Sequence, residues 1–122
     1  MIRIRYETPE LKDLATKIVQ RNFYLYANEM ITRAMVELGS TNRPTSSITV
    51  LVASKGKKLM GKVAKKGSLS TITVGLNESP KEIAITLFHE TIHLLKPDWT
   101  EAQVEEKAQE INASTEPGGM SL

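Results

Sequence analysis

Apolar residues recur along the chain with two different periods, and the change of period divides it into β and helical segments. Ile2, Ile4 and Tyr6 alternate with Arg3 and Arg5, the pattern of a short strand with one buried face. From Thr8 onward the spacing becomes three and four: Leu11, Leu14, Ala15, Ile18 and Val19, then Phe23, Ala27, Met30, Ile31, Ala34 and Leu38. That spacing predicts an amphipathic helix laid on a core. Thr8-Pro9-Glu10 opens it, with threonine as cap, proline at the first helical position and glutamate at the positive end of the helix dipole. Asn22 is where a kink or break would fall. Gly39 ends the element before a loop over 40–47 that contains Pro44.

The middle of the chain reads as β. Residues 48–53 are rich in β-branched side chains and short enough for a strand. A turn over 55–57 leads to a second strand over 58–64, weakened by Gly61, which marks a bulge or an edge position. A third strand over 69–76 sets Ile72, Val74 and Leu76 on one face and Thr71 and Thr73 on the other. Helical spacing returns at Ser79-Pro80-Lys81-Glu82, where a serine cap, a first-turn proline and a glutamate three residues on form a capping box. This helix should run to about Leu95, where Lys96-Pro97-Asp98-Trp99 breaks it. Thr100 with Gln103 then caps a last helix whose stripe is Val104, Ala108 and Ile111.

The expected fold is therefore α+β: an N-terminal helix, a three-stranded sheet that becomes four-stranded if residues 2–6 join it, and two C-terminal helices. Residues 1–113 read as one domain, and 114–122, with Pro117-Gly118-Gly119, as a flexible tail.

Composition narrows the chemistry. The chain has 122 residues, 40% of them hydrophobic and 25% charged, and it has no cysteine. Thiolate metal sites, disulfides and cysteine nucleophiles are thereby excluded, so any transition metal must be held by histidine and carboxylate. No run approaches the ~20 apolar residues that cross a bilayer. The alternating start has no long apolar segment of a secretory signal, so a cytoplasmic location is expected.

The net charge of +2 is small but unevenly spread. Arg43, Lys55, Lys57, Lys58, Lys62, Lys65 and Lys66 have no acidic residue among them, whereas Glu101, Glu105, Glu106, Glu110 and Glu116 follow later. Lysines of this kind blunt a sheet edge. They also allow a patch for nucleic acid or an acidic partner.

His89-Glu90-Thr91-Ile92-His93 falls inside the second predicted helix and contains both histidines of the chain. A spacing of four projects both imidazoles from one helix face, one turn apart, where two ring nitrogens can grip one Zn²⁺. Glu90 can reach a water on that metal without ligating the ion, and can take its proton as general base. Catalytic zinc needs a third protein ligand. With no third histidine, the third ligand should be a downstream carboxylate.

A tight antiparallel hairpin pairs positions whose numbers sum to about 195, so the level between the two histidines faces residues near 104. Glu105 is the best match and Glu101 the alternative, either as ligand or as a hydrogen-bond partner of a histidine. Glu106 points ~100° away from Glu105. It and Asp98 rank below, together with a non-protein ligand.

These residues resemble a zincin metallopeptidase of the gluzincin type, in which H-E-x-x-H is followed by a glutamate on a later helix. In size and order of elements the chain looks like the minimal gluzincins. The resemblance implies a minimal zincin-like domain with Zn²⁺ on His89, His93 and Glu105, and Glu90 as base. It also implies a peptide or protein substrate lying antiparallel to the edge strand over 58–64. Tyr24, Tyr26 and Arg43 are candidate oxyanion donors. Self-inhibition in the minimal gluzincins implies a tail that can fold back over the cleft and hold the enzyme latent; the alternative is an unstructured terminus with no role.

The competing expectation is a zincin-like module that binds nucleic acid or protein through its lysine-rich edge, Lys55 to Lys66, without peptidase activity. A third expectation joins the two, as a protease of DNA-bound proteins.

Overall fold

The computed structural model describes residues 2–39, 47–53, 61–66, 69–76 and 79–115, with the backbone alone at 47, 61–66, 69 and 115. Among the described residues eight elements follow one another: β1 (Ile2–Tyr6), α1 (Glu10–Val19), α2 (Phe23–Glu37), β2 (Ser47–Ala53), β3 (Gly61–Lys66), β4 (Leu69–Gly75), α3 (Pro80–Leu95) and α4 (Glu101–Thr115). The strands form one sheet in the order β1-β2-β4-β3. β1, β2 and β4 run parallel, and β3 pairs antiparallel on the outer side of β4. The α+β expectation holds, and the N-terminal strand does join the sheet.

Register follows the hydrophobic pattern. Ile4 pairs with Val50, Val50 with Ile72 and Ile72 with Val63, so one apolar row crosses all four strands. On β2 and β4, Ile48, Val50, Val52, Ile72 and Val74 are buried, while Thr49, Leu51, Thr71 and Thr73 keep partial exposure on the opposite face. A slip by one residue would send this apolar set to the other face, so burial fixes the register.

The N-terminal helical pattern is two helices rather than one. Gln20 adopts the left-handed conformation (φ 58°) and ends α1. Asn22 then starts α2, its side chain accepting from the Leu25 N–H at 3.0 Å. This cap satisfies a backbone donor that a continuous helix would have served, which is why asparagine marks the break. The α1 start also differs from expectation. The Thr8 side chain makes no cap, and its carbonyl instead accepts from Leu11 N at 3.1 Å.

α3 is the central helix. It packs against β3 and β4 below, α2 on one flank and α4 on the other. Ile83, Leu87, Phe88 and Ile92 are fully buried there. Its start is as the sequence predicts: Ser79 Oγ accepts from Glu82 N at 3.1 Å, with Pro80 in the first turn. The Tyr26 hydroxyl donates to the Pro80 carbonyl at 2.9 Å and ties this end to α2.

Removing that hydroxyl by Tyr26→Phe is expected to cost about 1 kcal/mol in urea denaturation. Burial pushes the Tyr26 hydroxyl from 10.0 up to about 12, against the pull of Arg21. The folded chain therefore keeps a proton that the unfolded chain loses above pH 10.0. The associated stability is complete below that pH and drains away as the pH rises toward about 12. Tyr26→Phe should flatten that alkaline loss.

α4 begins with a reciprocal box, Thr100 N donating to Gln103 Oε1 at 2.8 Å and Gln103 N to Thr100 Oγ1 at 3.2 Å. Val104, Ala108 and Ile111 are buried against α3 and the core, as their spacing predicts. The helix continues through Ser114 to Thr115, two residues into the segment read as tail. The rest of that tail lies outside the described residues, as do Arg43, Lys55, Lys57 and Lys58, and the side chains of Lys62, Lys65 and Lys66. Among the described residues, no helix is long and apolar enough to cross a membrane.

Candidate metal centre

Helical spacing does bring the two histidines together. Their Nε2 atoms lie 3.2 Å apart, with ring centroids 4.8 Å apart and planes inclined by 64°. α4 runs back beside them with Glu101 opposite His93 and Glu105 opposite His89, within about one residue of the expected register. Glu101 Oε1 sits 2.8 Å from His89 Nε2 and 3.0 Å from His93 Nε2. Glu105 Oε1 instead meets His89 Nδ1, at 2.9 Å.

The cluster whose donor atoms share one point is therefore His89, His93 and Glu101, all within 4.8 Å of one another. Glu105, the expected third ligand, is not in it. The reason lies in the imidazole itself: a residue abreast of His89 meets the ring nitrogen nearer the backbone. A residue one turn closer to the hairpin meets the two outer nitrogens. Asp98 and Glu106 are likewise outside the cluster. Tyr26, one of the candidate oxyanion donors, spends its hydroxyl on Pro80.

The donor chemistry decides what this arrangement fits. A carboxylate only accepts, so the His89–Glu105 contact uses the Nδ1 proton of His89. In the neutral ring, Nε2 is then a bare lone pair, yet it faces a carboxylate oxygen at 2.8 Å and a second Nε2 at 3.2 Å. Protonating both rings would aim two N–H groups at each other across that same gap. One proton can serve only one of these contacts, whereas a cation at their meeting point serves all three. Two imidazoles and a carboxylate also match the His₂Glu set of catalytic zinc.

Glu90 stands apart from this network. It is buried, with 7% of its surface accessible, and no hydrogen bond joins its carboxylate to a described residue. Burial raises its pKa above the ordinary carboxylate value. His89 and His93 pull it down, and Glu101 pushes it up. Exposed Glu101 is held below that value, chiefly by its bond to His93.

Fold and cluster together define an α+β protein with a two-histidine, one-glutamate group able to hold a metal ion. The chain matches no protein-family model, no characterised protein and no solved structure.

Proposed function

We propose that the protein is a zinc-dependent peptidase of the gluzincin type, with His89, His93 and Glu101 as ligands and Glu90 as general base. The observation that carries this reading is the convergence of three electron-pair donors at 2.8–3.2 Å beside Glu90, a largely buried residue whose carboxylate bonds to no described residue. A purely structural metal site has no use for a carboxylate that stands beside the ligands without joining them. Zinc bound there would acidify a water and polarise a substrate carbonyl.

Glu90 takes a proton from the attacking water as its oxygen bonds to the peptide carbonyl carbon. It returns that proton to the amine nitrogen as the C–N bond breaks. Its raised proton affinity suits both halves of that cycle. Glu105 holds the His89 ring by its Nδ1 proton, so that Nε2 stays directed at the ligand cluster. The edge position of β3, against which α3 packs, supports an extended peptide adding to the sheet next to the site.

The test combines metal analysis with hydrolysis of a mixed peptide library. One zinc per chain is expected, with cleavage that stops on chelation and returns with Zn²⁺. A chain that purifies without zinc, takes none up, and binds RNA or DNA in a salt-dependent way would replace this reading with the nucleic-acid-binding one.

A further inference from the structure

We infer that Gln109 is a positioning residue of the metal centre, acting through Glu105 on His89; the inference rests on the metal-binding reading above. Glu101, Glu105 and Gln109 succeed one another at intervals of four on α4, so they share one face of the helix. Both oxygens of Glu105 are engaged: Oε1 with His89 Nδ1 at 2.9 Å, Oε2 with Gln109 Nε2 at 2.7 Å. The amide orientation is forced, since the Gln109 carbonyl would repel a carboxylate at that distance.

The consequence reaches the ligand cluster in two steps. Half of the Glu105 side chain is exposed (49%), and a glutamate held at one oxygen only could swing away from the imidazole. The second bond fixes the plane of the carboxylate. With its plane fixed, the carboxylate holds the His89 ring at Nδ1 and keeps Nε2 facing Glu101 and His93. Gln109 thus helps to orient the ring of a metal ligand from the far end of a three-residue ladder. A simple surface pair on a helix would stabilise α4 and nothing more.

The experiment measures Zn²⁺ affinity of the full chain by competition with a chromophoric chelator, for wild type, Gln109→Met, Gln109→Lys, Glu105→Ala and the double variant Gln109→Met/Glu105→Ala. Gln109→Met is expected to weaken binding by about 3- to 10-fold, less than the roughly 10- to 100-fold expected for the direct partner Glu105. Gln109→Lys, which keeps a donor toward Oε2, should stay near wild type. Adding Gln109→Met to Glu105→Ala should cost nothing further. In ¹⁵N-resolved spectra of the zinc-loaded protein, the His89 Nδ1 proton should exchange with water faster in Gln109→Met. Unchanged affinity in Gln109→Met beside a weakened Glu105→Ala would overturn the role of Gln109 alone, as would an equal loss in the Glu105→Ala background. A wild-type chain that takes up no Zn²⁺ would overturn the metal centre itself.

Discussion

Glu101→Ala is expected to weaken zinc binding by more than about 100-fold, and Glu105→Ala by less, about 10- to 100-fold. The ranking follows from which atoms each glutamate meets. Glu101 Oε1 touches both Nε2 atoms, so its loss removes a donor from the cluster and leaves two imidazoles to hold the ion. Glu105 touches Nδ1, so its loss frees the ring of His89 to turn but leaves all three donors in place. Metal content after dialysis, and affinity by chelator competition, read the two variants directly. Greater zinc loss in Glu105→Ala than in Glu101→Ala would exchange the two roles. Equal and full retention in both would remove the carboxylate ligand altogether.

Glu90→Gln should bind zinc like the wild type yet lose peptide hydrolysis by about 10²- to 10⁴-fold, the usual contribution of a positioned general base. Glutamine keeps the shape and cannot take the proton. The same change should raise the unfolding midpoint of the metal-free protein at neutral pH. Burial raises the carboxyl's proton affinity in the folded chain above its unfolded value of 4.5, so the folded state suffers from ionisation there. The stability linked to that proton is complete below pH 4.5 and is lost as the pH rises through the folded value. The advantage of glutamine should accordingly be present at neutral pH and shrink on acidification. Thermal unfolding across pH in a chelator-containing buffer measures it. Retained hydrolysis in Glu90→Gln would end the general-base role. A lowered midpoint at neutral pH would instead show that the carboxylate has stabilising contacts.

Much of the fold could be read from local signals. β-Branched content located β2, and period-2 alternation located β4 with its buried face. The Ser79 and Thr100 caps fixed where α3 and α4 begin, because each is completed within four residues. The joining of β1 to the sheet was less legible, since its partner β2 lies beyond two helices and only parallel pairing satisfies its backbone. The break between α1 and α2 could be placed at Asn22 but not decided. Apolar spacing runs through it undisturbed, and the left-handed turn at Gln20 depends on how both helices meet the core.

The candidate site divides along the same line. Sequence alone determined that His89 and His93 share a helix face with Glu90 beside them, because spacing on a helix fixes direction. It also limited the remaining donor to a few carboxylates, since the chain has no cysteine and no third histidine. Tertiary structure brought Glu101 into the cluster with both histidines and set Glu105 against His89 Nδ1. That placement depends on which ring nitrogen faces which turn of the opposing helix, a matter of packing and side-chain rotation that residue spacing does not encode. The same packing left Glu90 largely buried and engaged the second oxygen of Glu105 with Gln109.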